Sequence, residues 1–102
     1  MNIGIDIVEC KRVAGLISDK VFSVNELKYI HAKHDALPTV AGLFAAKEAY
    51  FKAKGTGIIK SELPKVEVGH HAGGQPFYVN DSQCALSISH TEDTAVAVCI
   101  NF

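Results

Sequence analysis

Two acidic residues in distant parts of the chain could act together. Asp6 interrupts the apolar run NIGIDIV, and Glu48 lies in the run LFAAKEAYFKAKGTG, residues 43–57. A carboxylate inside an apolar segment is disfavoured unless a partner offsets its desolvation or its side of the strand meets solvent. Magnesium takes one or two carboxylates together with waters and phosphate oxygens. If the two segments converge in the fold, Asp6 and Glu48 could hold such a cation. The sequence permits this convergence but does not establish it.

Groups suited to phosphate lie on both sides of Glu48. They are Lys47, Lys52 and the backbone of Gly55-Thr56-Gly57, because phosphates are bound by cations and by backbone amides in turns. The same sequence pattern is also typical of an ordinary solvent-exposed helix. Glu48 precedes Lys52 by four residues, a pairing that stabilises a helix surface by about 0.2–0.5 kcal/mol. On this local pattern alone, the surface pair is the simpler interpretation.

The histidines offer fewer constraints. His31 and His34 are at i, i+3 and could bind a metal from the same side of a helix, but the lysine between them favours a solvent-exposed surface. His70-His71 precede a glycine turn and read as a loop. His90 ends the run ALSISH beside Thr91, where it could bind phosphate or ribose or equally well cap a turn. The GxSxG, HExxH and Walker motifs are absent from the sequence.

The elements that must position these residues begin with a strand. NIGIDIV alternates isoleucines with Gly4, Asp6 and Val8, so the acid lies on the face opposite the isoleucines. Apolar residues at helical spacing in ECKRVAGLIS, residues 9–18, predict a short helix. Ser23 and Glu26 form a capping box, which predicts the start of a second helix.

The central helix is predicted from about Thr39 to Lys54, with Pro38 able to occupy its first turn and Gly55 as its stop. After this helix the apolar period changes to two. KVEVG, PFYV, QCALSISH and TAVAVCI then read as strands, joined by a turn in HHAGGQ and a hairpin at HTED. One strand, then helices, then antiparallel strands is an α+β arrangement. The length of 102 residues predicts a single domain, 1–102.

Composition excludes several classes of function. The formal net charge is −1, with ten basic and eleven acidic residues, so nucleic-acid binding through a general basic field is not expected. Three cysteines without CxxC spacing indicate buried thiols in a reducing compartment. No signal peptide or membrane span is recognisable, which predicts a cytoplasmic protein. A chain this small exposes much apolar surface, and burial between identical subunits would supplement its core.

Three segments, IGIDIVECKRV, LFAAKEAYFKAKGTGI and LSISHTEDTAVAV, together resemble the bacterial holo-[acyl-carrier-protein] synthases, which are small trimeric phosphopantetheinyl transferases. The segments occur in the order and approximate spacing of that family, and the resemblance extends from Ile3 to Val98. It implies transfer of the 4′-phosphopantetheine arm of coenzyme A to a serine of apo acyl carrier protein, with release of 3′,5′-ADP. It also implies a homotrimer.

The resemblance also implies roles for particular residues. Asp6 and Glu48 match the acids that hold Mg2+ on the coenzyme A pyrophosphate, and Glu48 would help to remove the serine proton. Lys52 and Gly55-Thr56-Gly57 match positions that meet the phosphates of the coenzyme, and Lys47 belongs to the same motif.

The remaining matches lie outside the central helix. His90 and Thr91 match a segment that lines the same cofactor, typically from across a subunit interface. Arg12 matches a basic position suited to an acidic helix of the carrier protein. Leu43 departs from the family, which commonly has arginine there, and this departure leaves a second hypothesis open. The chain could be a non-catalytic trimeric scaffold that binds coenzyme A or a carrier protein.

Overall fold

The computed structural model describes residues 1–102 and contains two separate antiparallel sheets. The larger sheet has three strands in the order β1-β5-β4, namely β1 (Asn2–Glu9), β4 (Cys84–His90) and β5 (Thr94–Asn101). The smaller sheet is the hairpin of β2 (Val68–His70) and β3 (Pro76–Tyr78). The chain is therefore α+β, with an N-terminal strand, helices and then antiparallel strands, as the apolar periods predicted.

Two α-helices separate β1 from the other strands. Helix α1 spans Val24–His31 and begins with the predicted capping box, in which the Ser23 hydroxyl accepts from the Glu26 amide and the Glu26 carboxylate accepts from the Ser23 amide. Helix α2 spans Leu37–Lys54, so it begins two residues before the predicted start. It ends at Gly55, whose φ of 73° favours glycine.

Short 3-10 turns fill the connections. Two of them, Cys10–Arg12 and Ala14–Leu16, replace the single short helix predicted after β1. The third, Lys60–Lys65, follows the turn at the end of α2. None of the helices is long and apolar enough to cross a membrane.

Helix α2 covers one face of the larger sheet through small residues. Ala45, Ala49 and Ala53 of the helix are buried, as are Ala95 and Ala97 of β5. Because their side chains are short, the helix and the sheet approach each other closely. The partly polar inner face of β1 is thereby brought against α2.

The other face of the larger sheet is open and apolar. Ile3, Ile5 and Ile7 of β1 are 65%, 56% and 70% exposed. In the register they pair with Ile100, Val98 and Val96 of β5, so the apolar side chains of both strands share this face. Of the two possibilities for Asp6, the structure shows that its face is the covered one, while the isoleucines meet solvent.

Candidate active site

Asp6 and Glu48 face each other across the contact between β1 and α2. Asp6 lies on the covered side of β1 and is 9% exposed, and Glu48 is half-buried on α2. Burial raises the pKa of Glu48 to about 6, and the neighbouring Asp6 carboxylate contributes in the same direction while Lys52 opposes it. Two carboxylates this close disfavour each other's ionised form unless a cation lies between them.

Lys52 pairs with Asp6 and forms no salt bridge with Glu48. Its ammonium lies 3.1 Å from Asp6 Oδ1 and donates to the Ile5 carbonyl oxygen at 2.9 Å. The Lys52 side chain is 55% exposed, so it can leave this position without uncovering the core. The surface pair that the local spacing favoured is therefore replaced by a contact between α2 and β1.

The second oxygen of Asp6 has no partner. Asp6 Oδ2 is buried and receives no hydrogen bond, although buried carboxylate oxygens normally have donors. No group of three or more His, Cys, Asp or Glu side chains is arranged around a common point. An unpaired carboxylate oxygen beside a second carboxylate fits a magnesium ion, because that ion uses one or two protein carboxylates and takes its other ligands from water and substrate.

The carboxylate pair opens into a cleft of about 540 Å3. Arg12, Phe44 and Thr94 are among its other lining residues. The Arg12 guanidinium lies 3.4 Å from the Glu9 carboxylate, and its side chain is 74% exposed. The cationic residue with a predicted partner role thus borders the cleft that holds the two acids.

The turn Gly55-Thr56-Gly57 follows Lys52 at the exposed end of α2. Gly55 and Gly57 have φ values of 73° and 68°, and a β-carbon added at either residue would have no atom within 4 Å. The Thr56 hydroxyl donates to the Gly57 carbonyl oxygen at 3.0 Å. The turn therefore presents accessible backbone, which an anionic group could approach closely.

His90 and Thr91 do not reach this site within one chain. β4 and β1 are opposite edges of the sheet, and His90 and Val8 both pair with Ala95 of β5, which puts two strand spacings, roughly 9–10 Å, between them. His90 lines a different cleft of about 190 Å3, which Leu43 also lines. The Thr91 hydroxyl accepts from the Asp93 and Thr94 amides, both at 3.2 Å, and so caps the hairpin turn.

The expectation that Lys47 contacts phosphate is wrong for this structure. The Lys47 side chain has 0% exposure, and its ammonium donates to Glu26 Oε1 at 2.7 Å, to the Leu63 carbonyl at 2.8 Å and to the Val66 carbonyl at 2.9 Å. Burial lowers the pKa of Lys47, and the charge of Glu26 opposes this shift. All three ammonium protons are therefore used inside the protein.

Glu26 is the partner that sequence reasoning missed. It was recognised only as a helix cap, yet its side chain is also fully buried. The Val68 amide donates to its second oxygen, Oε2, at 2.9 Å. The available signal was the pairing of a capping carboxylate in α1 with an otherwise unexplained lysine in an alanine-rich helix.

A second polar cluster was also missed, on the other side of the turn. Asp81 Oδ2 accepts from the Tyr50 hydroxyl at 2.8 Å and from the Lys54 ammonium at 2.9 Å. Lys54 lowers the pKa of Asp81 to about 2. These three residues line a cavity of about 400 Å3 together with Thr56, but their polar atoms are bonded to one another.

Known proteins are similar to this chain in sequence and fold over nearly its whole length. The 4′-phosphopantetheinyl transferase superfamily matches residues 2–99. A holo-[acyl-carrier-protein] synthase of Alkaliphilus oremlandii is 35% identical over an alignment of 117 positions, which covers 97% of this chain and 96% of the relative.

Two solved structures are similar to this one. The crystal structure of a holo-(acyl-carrier-protein) synthase from Bacillus anthracis in complex with CoA (3′,5′-ADP) superposes with a TM-score of 0.84 at 37% identity, covering 96% of this chain and 92% of that one. The Helicobacter pylori holo-[acyl-carrier-protein] synthase in complex with coenzyme A has a TM-score of 0.77 at 28% identity, covering 96% and 97%. The chain therefore belongs to the 4′-phosphopantetheinyl transferase superfamily, as a phosphopantetheinyl transferase of the holo-[acyl-carrier-protein] synthase type.

Proposed function

We propose that this chain, as one domain of residues 1–102, transfers the 4′-phosphopantetheine arm of coenzyme A to a serine of apo acyl carrier protein in the cytoplasm. The observation that carries the proposal is the Asp6–Glu48 pair, with a buried and unpartnered Asp6 oxygen and a lysine that is free to move. A structural core has no need for such a pair, since placing two carboxylates side by side away from water is costly.

Asp6 and Glu48 would hold Mg2+, which when bound neutralises the charge on the coenzyme pyrophosphate. The contact of Lys52 with Asp6 would be exchanged for a contact with a phosphate oxygen, a charge-assisted bond of the strong kind. In the turn Gly55-Thr56-Gly57, the Gly55 and Thr56 amides donate to the Lys52 and Phe51 carbonyls of α2, so the amide offered to the same phosphates is that of Gly57. These groups keep the pyrophosphate in place for attack, which is most of what phosphoryl transfer requires of a protein.

The chemistry exchanges one phosphorus–oxygen bond for another. The carrier serine oxygen forms a bond to the β-phosphorus of coenzyme A, and the bond from that phosphorus to the departing 3′,5′-ADP breaks. The serine proton passes to the Glu48 carboxylate, directly or through water. Because the pKa of Glu48 is about 6, the residue is ionised at neutral pH and can accept this proton. Arg12, exposed at the edge of the same cleft, would contact an acidic helix of the carrier protein.

A homotrimer would account for two features of the chain. The open isoleucine face of the sheet is apolar and uncovered, and burying it against identical subunits removes that surface from water. His90 and Thr91 lie on the opposite sheet edge from Asp6, so a neighbouring subunit would bring them to the coenzyme. The cleft around His90 contains Leu43 and no lysine or arginine, which predicts a weak hold on the 3′-phosphate.

The decisive experiment uses an apo carrier protein, coenzyme A and Mg2+, with the product followed by mass spectrometry. The expected result is a carrier that gains one phosphopantetheine, with 3′,5′-ADP released in equal amount. If several carriers gain no adduct while coenzyme A still binds, the chain is instead the non-catalytic scaffold, the alternative that Leu43 favours.

A further inference from the structure

We propose that Lys47 is a positioning residue for the proposed transfer reaction. Through two hydrogen bonds to backbone carbonyls, it holds the segment after the Gly55-Thr56-Gly57 turn against α2. The turn therefore has its binding conformation before the coenzyme phosphates arrive. This inference rests on the proposed function for its ligand. It assigns to Lys47 a role that requires no contact with the substrate.

The first support is the geometry of the buried pair. Lys47 and Glu26 have no exposed side-chain surface, and every charged atom has at least one partner. The two residues connect four parts of the chain, because Glu26 belongs to α1 and accepts from β2, whereas Lys47 belongs to α2 and donates to the 3-10 turn and its end. The pair is thus a junction between α1, α2, β2 and the 3-10 turn.

The second support is how little else fixes the segment after the turn. From Gly55 to Val66, only Leu63 and Val66 are buried. These are also the two residues whose carbonyl oxygens accept from Lys47. The one other side chain that bonds to the backbone of this segment from elsewhere in the chain is Asn80, which donates to the Lys65 carbonyl at an exposed position. Lys47 therefore supplies the buried polar attachment of the segment.

The third support is energetic. A buried ion pair is often no more stabilising than an apolar pair of similar volume, because both charges must be desolvated. Two apolar side chains could fill this space, but they could not bond to two carbonyls in fixed directions. The directional hydrogen bonds of the lysine fix the position of the segment after the turn relative to the helix.

The same residue also relates the two halves of the site. Lys47 and Glu48 are adjacent, so their side chains diverge by about 100° around α2. With the ammonium of Lys47 anchored on one side, the Glu48 carboxylate is directed toward Asp6 on the other. A shell of this kind pre-organises binding groups and so reduces the ordering cost when a ligand arrives.

The test compares wild-type protein with Lys47→Met and with the double variant Glu26→Leu/Lys47→Met. Lys47→Met leaves Glu26 buried without its cation and is expected to lower the melting temperature. The double variant removes the uncompensated charge and recovers part of the loss, while the Ser23 and Val68 amides lose their acceptor. Coenzyme A affinity, measured by calorimetry with Mg2+ and no carrier protein, should be about tenfold weaker in both variants. Val40→Ala, a core truncation near the other end of α2, serves as the control that loses stability and keeps the affinity.

Hydrogen exchange gives a readout that does not depend on activity. Amides from Gly57 to Leu63 should exchange faster in the double variant than in wild-type protein, and the Val40→Ala control should leave them unchanged. A folded double variant with wild-type affinity and wild-type protection of this segment would show that the pair is structural only. If wild-type protein binds no coenzyme A, the proposed function fails, and the exchange comparison still decides whether Lys47 orders the turn.

Discussion

Gly4 of β1 packs directly on the backbone of α2 at Ala49. A β-carbon added at Gly4 would overlap the Ala49 carbonyl oxygen and would lie 2.6 Å from the Ala53 amide nitrogen. Asp6 is on the same face of β1, two residues further on, and Glu48 immediately precedes Ala49. The absence of a side chain at Gly4 therefore sets the distance at which the two carboxylates meet.

Gly4→Ala should consequently impair both stability and transfer. The new methyl group meets backbone, which cannot rotate away, so α2 must shift outward and Asp6 and Glu48 must separate. We expect a loss of about 1–3 kcal/mol in the free energy of unfolding and a larger loss in kcat/KM than in folded fraction. Urea melts and steady-state assays of 3′,5′-ADP release measure the two effects. Gly15→Ala is the control, because no atom lies within 4 Å of the added carbon there. Equal behaviour of the two variants would contradict the packing argument.

Asp6→Asn and Glu48→Gln should abolish transfer and leave the protein folded. Both substitutions keep side-chain shape and remove the charge that would hold Mg2+. Titration of Mg2+ into the protein without coenzyme should raise the melting temperature of wild-type protein, because a ligand that binds only the folded state stabilises it. The same titration should leave each variant unchanged. If both variants kept wild-type turnover, the metal assignment would be lost.

The pH dependence follows from Glu48, whose pKa burial and the Asp6 charge raise from 4.5 to about 6. Below that pKa the residue carries a proton that a cation must displace, so the apparent Kd for Mg2+ should increase toward tenfold for each pH unit below about 6. Fold stability changes in the opposite sense. The folded state favours protonated Glu48, so metal-free wild-type protein should lose stability relative to Glu48→Gln as pH rises from 4.5 to about 6. Unfolding curves of both proteins across that interval check the sign, and parallel curves would refute it.

Local patterns were sufficient for the two α-helices and the strands, because the groups that set them are close in sequence, but they did not predict the 3-10 turns after β1 and after α2. Ser23 and Glu26 cap the start of α1, and the left-handed Gly55 ends α2. The orientation of Asp6 was not accessible in this way, since it depends on the contact of Gly4 with a helix more than forty residues away.

Lys47 and Lys52 illustrate the same limit in the site. They are the same residue type in one helix, about 140° apart around its axis, yet one is fully buried and the other half exposed. The difference comes from what each side chain faces, Glu26 for one and Asp6 for the other. The family motif contains both lysines and does not distinguish their roles, so only the packing of α1 against α2 separates them.

Lys52→Ala should change the affinities for metal and for coenzyme in opposite directions. Without coenzyme, the Lys52 ammonium occupies the Asp6 carboxylate and opposes a cation there, so removing it should tighten Mg2+ binding several-fold. With coenzyme, a phosphate contact is lost and the KM for coenzyme A should increase. Calorimetry with Mg2+ alone and steady-state kinetics separate the two effects. Lys28→Ala, an exposed lysine on α1, is the matched control. Weaker binding of both ligands would mean that Lys52 supports the metal site instead of competing for it.

Mixing two inactive variants should restore activity if neighbouring subunits supply the two sides of the site. We expect Asp6→Asn and His90→Ala each to be inactive, the first through the metal and the second through the coenzyme. In mixed trimers, some interfaces join a subunit with an intact Asp6 to a neighbour with an intact His90. The active site at such an interface contains both residues and is complete. Co-refolded mixtures should therefore recover a substantial part of wild-type turnover.

Adding Ile5→Lys to both variants places a charge on the open sheet face. This charge should prevent trimer formation, so sedimentation analysis should find monomers and the recovery of turnover should be abolished. Val24→Lys, at an even more exposed apolar position on α1, should leave both the recovery and the trimers intact. Recovery that persists in monomeric Ile5→Lys protein, or the absence of any recovery in stable mixed trimers, would exclude a site shared between subunits.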